Sequence, residues 1–212
     1  MNYRIDGDNL PVLKVRLSAG EQIECEAGAM SWMDDEIEMQ TKAGGLGRMF
    51  GRSLKFVRCM PNTPALVGMG CTGVCCNELV TRDEMQQSLS LLQSFGLAEE
   101  VPEKLMDAVV GVSGSSPAYV FLFLEALADG AVQAGMPRAQ AYRFAAQSIM
   151  GSAALALETG KHPGELKDMV CSPGGTTIEA VQVLEDRGFR SSVMHAVSAC
   201  VERCRALSKD ET

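Results

Sequence analysis

Along this chain the spacing of hydrophobic positions changes once, close to residue 54. Up to about residue 43 it has the two-residue period of a β-strand. Leu13, Val15 and Leu17 alternate with Lys14 and Arg16, and Ser18-Ala19-Gly20-Glu21 supplies a turn. Ile23, Cys25 and Ala27 then alternate with Glu24 and Glu26, and Asp34-Asp35 leads into Glu36 to Thr41. This pattern predicts a meander of antiparallel strands with one polar face. A glycine-rich connection follows, from Ala43 to Gly51.

Beyond Leu54 the period changes. Phe56, Val57, Cys59 and Met60 form a short apolar strand broken by Pro61 and Pro64, and Thr72 to Cys76 reads as a second strand. Thr81 to Phe95 carries Met85, Leu89, Leu92 and Phe95 on one helical face and stops at Gly96. Leu97 to Val101 is a short strand, and everything after Glu103 is predicted to be helical. A long helix starts at Ser113-Gly114-Ser115-Ser116-Pro117 and runs to about Gly135. It is apolar nearly all the way round, so it needs cover on every side, and a subunit interface is the natural source. Further helices are predicted over Pro137 to Glu158, Pro163 to Val170, Thr176 to Asp186 and Ser191 to Leu207.

Composition narrows the function classes. At 212 residues, 46% hydrophobic and 22% charged, the chain can bury a core. A net charge of -8 argues against a nucleic-acid partner, which requires a basic surface. The start, MNYRIDGDNLPVLKV, has no apolar signal region. The longest apolar run, Ala118 to Leu124, falls short of the roughly 20 residues that span a bilayer, so no membrane partner is expected. Eight cysteines in that context read as reduced cytoplasmic thiols. His195 and Cys200 are too sparse a set for a metal site, and none is assigned.

Chemistry concentrates in Cys171-Ser172-Pro173-Gly174-Gly175-Thr176-Thr177-Ile178-Glu179. Thr176 with Glu179 has the spacing of a capping box, which predicts a helix start. Gly174 and Gly175 let the backbone approach a ligand with its N–H groups outward, and the helix dipole favours an anion the size of a carboxylate. Ser172 and Thr177 add hydroxyls. An ordinary capped helix start fits the same residues. The glycine-rich connection is not a phosphate cradle, because the dinucleotide spacing starting at Gly45 would need glycine where Phe50 stands.

Taken with its surroundings, Leu166 to Thr177 resembles the C-terminal signature of the pyrroline-5-carboxylate reductases. Val57 to Pro64, Asp107 to Tyr119, Ala126 to Gly130 and Glu185 to Arg190 match that family in the same order. The resemblance implies NADPH or NADH as cofactor, pyrroline-5-carboxylate reduced to proline, a role in proline biosynthesis, and a homodimer or higher homo-oligomer. It implies that Ser172, Gly174, Gly175, Thr176 and Thr177 hold the substrate, with Thr177 as the catalytic hydroxyl beside the ring nitrogen. It also implies that Met60, Asn62, Thr63 and Pro64 end the last parallel strand of a cofactor domain and approach the nicotinamide. Ser116 departs from the family's usual glycine.

Tyr3 to Ile5, Glu24 to Met30 and Met39 to Gly45 resemble instead the opening of the altered-inheritance-of-mitochondria family of β proteins. The expected fold is therefore α+β, with a partial antiparallel β meander (1–54) leading into a remnant of the last strands of a Rossmann-type domain (55–101). An all-α dimerisation and substrate domain (102–212) completes it. The family's opening strand, glycine fingerprint and helix are not expected before Lys55, where a single βαβ unit alone needs about 30 residues. The chain thus reads as a fusion of two incomplete pieces, with hydride chemistry impaired. The alternative is a non-catalytic dimeric binding or scaffold module.

Overall fold

The structure, a computed structural model, describes residues 2–6, 12–16 and 55–210. Two compact units divide the chain, residues 1–106 with 205–212, and residues 107–204.

In the first unit, β1 (Asn2–Asp6) and β2 (Val12–Arg16) form an antiparallel pair, with Tyr3 opposite Val15 and Ile5 opposite Leu13. The remaining predicted meander strands and the glycine-rich connection lie outside the described residues. A three-stranded sheet follows, in the order β3 (Val57–Met60), β4 (Gly70–Cys76), β5 (Gly96–Glu100). β3 runs antiparallel to β4, and β4 runs parallel to β5. The partner described for β3 is antiparallel, and the parallel pairing lies one strand further on, so the expected last parallel strand stands at the edge of the described sheet.

Helix α1 (Arg82–Leu92) makes the β4-to-β5 crossover. It starts on a complete capping box, in which Thr81 accepts from the Glu84 N–H and Glu84 accepts from the Thr81 N–H. Its apolar face buries Met85 against Val74 and Ala98, with Leu89, Leu92, Val57 and Cys59 packed around them. Val57 and Cys59 are thus partly covered. The cover comes from within 55–101.

Gly96 has φ +149, and Gly70 lies so close behind it that a side chain at Gly96 would enter the Gly70 backbone. The two glycines let β4 and β5 begin side by side.

The second unit is helical. A 3-10 turn at Glu103–Leu105 and Met106, the first residue of α2 (Met106–Val109), still belong to the first unit; the Val110–Gly114 segment after α2 is a π-helical turn closed by the Ser115 N–H on the Val110 carbonyl. It feeds α3 (Ser116–Gln133) without a break, so the Ser113–Pro117 stretch begins α3 as predicted but prolongs a helical rod that is already under way. α4 (Arg138–Thr159), α5 (Pro163–Val170), α6 (Thr176–Asp186) and α7 (Phe189–Asp210) follow. Gly111 sits against Val197 and Val201 of α7, where a side chain would crowd both.

The rod from Glu103 to Gln133 is 31 residues long and, by length and composition, apolar enough to cross a membrane. The Ala118–Leu124 run alone is shorter because Pro117 and Glu125 bound it, whereas the helix continues through them. Phe121 is 62% exposed and Leu122 70% within the chain as it stands. α3 and α4 pack against each other and are tied by the Arg138–Asp129 ion pair, while Arg138 also lies over the Tyr142 ring of its own helix.

Candidate functional site

The Ser172–Thr177 segment joins α5 to α6. The Gly175 N–H closes a turn on the Ser172 carbonyl at 3.0 Å, with Gly174 in the left-handed region at φ +64. Only glycine takes that conformation at little cost. A side chain on Gly175 would meet the Ser172 hydroxyl and make it turn away, so it is Gly174 whose conformation calls for glycine.

The capping-box prediction is corrected here. Helix α6 does begin at Thr176, but its N-cap is Gly175 and no side chain caps it. Thr176 is already the first helical residue, so its hydroxyl sits one position too late to reach the N–H of the third helical residue. Local geometry thus leaves the first-turn N–H groups of α6 without a side-chain acceptor. The hydroxyls of Ser172, Thr176 and Thr177 likewise make no hydrogen bond among the described residues. Unused donors at the positive end of a helix are what a carboxylate requires. Lys167 and Asp168, on the last turn of α5, pair with each other at 2.6 Å, and that contact raises the lysine's pKa.

The second group of expected residues lies in the first unit. Met60 ends β3 opposite Gly73. Asn62 precedes a 3-10 turn, Thr63–Val67, and its side-chain oxygen accepts from the Cys71 N–H at 2.8 Å. Thr63 and Pro64 open that turn, and the Pro64 carbonyl accepts from Met69 N–H. Asn62 therefore fastens the turn to β4.

The sequence reading passed over one stretch. Gly68, Gly70 and Gly73 have the G-x-G-x-x-G spacing. The dinucleotide motif needs a strand before it and a helix after it. Here Gly68 ends the 3-10 turn at φ +72, and Gly70 and Gly73 lie inside β4. A side chain at Gly70 would stand 2.9 Å from the Ala65 methyl, so this glycine serves close packing.

At the opposite end of the sheet, a cleft of about 340 Å³ lies between Cys75, Cys76, Arg82, Glu100 and Glu103. The Cys75 thiol donates to Glu103, which also pairs with Arg58. Burial, then the Glu103 contact, push this thiol up to about 12 and keep it protonated. Among the described residues no group of three or more His, Cys, Asp or Glu is placed to hold a metal ion.

Residues 103–207 match the family described as pyrroline-5-carboxylate reductase dimerisation. Over that stretch the chain is similar to the pyrroline-5-carboxylate reductases. The pyrroline-5-carboxylate reductase of Escherichia coli (strain K12) is 60% identical over 164 residues, which is 77% of this chain and 61% of that protein. The enzyme of the same name from Synechocystis is 52% identical over 153 residues, 72% of this chain and 57% of its own. The chain thus spans about three fifths of the length of the curated relatives it matches.

A solved pyrroline-5-carboxylate reductase from Coxiella burnetii superposes with a TM-score of 0.72 at 36% identity, covering 78% of this chain and 60% of that one. The Plasmodium falciparum pyrroline carboxylate reductase, solved with NADP bound, gives 0.72 at 37%, covering 77% and 66%.

Residues 3–107 match a second family, described as mitochondrial biogenesis AIM24. That match runs through the three-stranded sheet, well beyond the residue-54 boundary drawn from sequence. The reductase alignments are longer than the helical part alone, so they include sheet residues as well. At 60% identity they are the stronger claim on the sheet.

Proposed function

We propose that this chain is a pyrroline-5-carboxylate reductase-like protein. In this reading its Ser172–Thr177 loop binds pyrroline-5-carboxylate or L-proline by the carboxylate, and two copies assemble through the helical unit. The observation that carries the reading is the uncapped start of α6 behind Gly174 and Gly175, with three unpaired hydroxyls beside it. Ser172, Gly174, Gly175 and Thr176 enclose the carboxylate, and the Thr177 hydroxyl faces the ring nitrogen, where it donates or relays the proton that imine reduction requires. The family reaction moves a hydride from NADPH or NADH to the imine carbon, with Met60, Asn62, Thr63 and Pro64 as the residues assigned to the nicotinamide side. The large exposed side chains of α3 and α4 are the surface that a second copy covers. The protein acts in the cytoplasm, in keeping with the free thiols of its described cysteines.

A second reading, a dimer that binds the carboxylate without reducing the imine, is favoured by the placement of Gly68, Gly70 and Gly73 in a turn and a strand. Hydride transfer is impaired in this reading. Titration of the purified protein with NADPH, followed by turnover with pyrroline-5-carboxylate, separates the two. Saturable NADPH binding with turnover establishes the reductase. L-proline binding without NADPH binding establishes the second reading, and binding of neither ligand removes both.

A further inference from the structure

Helix α5 is only eight residues long, and it ends where the Ser172–Thr177 loop begins. Helices this short are marginal by themselves, so the ends of α5 decide how firmly the loop is held. At its start every backbone donor is accounted for. Pro163 has no N–H, the Glu165 N–H bonds the His162 carbonyl at 2.9 Å, and the Gly164 N–H donates to the imidazole Nδ1 of His162 at 3.0 Å. Glycine at 164 suits this contact, since a side chain there would stand 3.0 Å from that same nitrogen and press on the imidazole.

An imidazole is an unusual N-cap, because it can accept only while Nδ1 is unprotonated. We infer that His162 is a positioning residue: its neutral imidazole caps α5, holds the carboxylate loop in place, and releases it on acidification. This rests on the loop's proposed role as the carboxylate site.

Protonation removes the acceptor, sets an N–H against the Gly164 N–H, and places positive charge at the positive end of the helix dipole. All three effects act in one direction. The cap is present when the imidazole is neutral and is lost when it is protonated. Lys161 precedes His162 in sequence, and Glu165 is on the first turn of α5. They pair with each other at 2.6 Å, and Lys161 also reaches the Met169 sulfur. The imidazole makes no other hydrogen bond or ion pair among the described residues.

The test is amide hydrogen exchange on the full chain, corrected for intrinsic rates, at about pH 7.5 and about pH 5.5, the two sides of the histidine range. Amides 164–177 of the wild type are expected to lose about five-fold in protection on acidification, the size of a typical cap. His162→Asn caps without titrating, so it keeps its protection at both values. His162→Ala is poorly protected at both. A wild type indifferent to pH, an asparagine variant that loosens in parallel with it, or an alanine variant as protected as wild type at the higher pH overturns the inference.

L-proline affinity forms a second arm, weakening at low pH in the wild type and not in His162→Asn. If no form binds L-proline, the carboxylate reading fails, and exchange alone decides the role of His162.

Discussion

In the sheet-bearing unit, side chains of full size are buried: Val74, Met85 and Met106 are each at most 3% exposed. The fully buried hydrophobics of the helical unit are Ala128, Ala141 and Ala145, while Phe121, Leu122, Phe144, Leu157 and Met194 are each at least 60% exposed. Both units have apolar residues at the right helical or strand period. They differ in what those residues find. α1 lies back across β4 and β5 and closes a core within about 45 residues of sequence. The helices of the second unit meet along small residues and turn their large ones outward. Apolar periodicity therefore records that a surface must be covered, and is silent on whether the same chain covers it.

The largest expected effect tests that difference directly. Leu122→Glu replaces an exposed leucine, a change that on an ordinary monomer surface stays within about 0.5 kcal/mol. If α3 forms the subunit contact, it costs about 2–4 kcal/mol of association. Sedimentation velocity should show the dimer dissociating at concentrations where the wild type stays paired. A variant that remains dimeric with unchanged melting would break the comparison.

Met85→Ala is the matching change in the sheet unit. Removing a buried methionine from a closed core costs about 2–5 kcal/mol. Urea melts should show that loss while the sedimentation coefficient stays the same. A loss of dimer instead would mean that the two surfaces are not independent.

Much of this was legible in the sequence, for identifiable reasons. The helices Pro163–Val170 and Thr176–Asp186 have the bounds read from proline, glycine and charge, because local signals fix helix ends. β4 and β5 were found within two residues for the same reason. Direction was not legible: β3 and β4 are both short and apolar, and nothing in their composition states that they run antiparallel. The π-helical turn escaped because Val110 to Gly114 has no residue that excludes an ordinary helix; the packing of Gly111 on α7 is a tertiary fact. At the Ser172–Thr177 loop the expected helix start was right and the expected cap was wrong. Thr176 and Glu179 have capping-box spacing, but the turn between Ser172 and Gly175 starts the helix one residue earlier than that box requires. His162 gave no signal at all, since a histidine before Pro-Gly carries no recognised cap pattern.

Alkaline pH should act on the sheet unit through its thiols. Burial pushes Cys59 up to about 11 from an ordinary 9.0. Its folded pKa is raised, so the thiol's contribution to stability is fully present below pH 9 and is lost as pH rises toward 11. Linkage makes this on the order of 1 kcal/mol at pH 10. Chemical denaturation of wild type should weaken between about pH 8 and pH 10, and Cys59→Val should weaken less. Equal losses in both would show that this thiol is not buried in solution.

The smallest change has the opposite sign. Thr72 is 2% exposed in the middle of β4, and its hydroxyl is the buried side-chain polar atom without a partner among the described residues. Thr72→Val keeps the shape, removes a hydroxyl that gave up water for nothing, and suits a strand at least as well. Stability should rise by about 1 kcal/mol or less, read as a higher denaturation midpoint with unchanged slope. A fall would show that the hydroxyl is satisfied in solution, most simply by a buried water. The same isosteric change in the helical unit, Thr177→Val, should leave the midpoint where it is and, on the proposed reading that its hydroxyl faces the ring nitrogen, abolish turnover while L-proline still binds by its carboxylate. One methyl-for-hydroxyl exchange, made twice, thus separates a side chain that serves a closed core from one that serves an open loop.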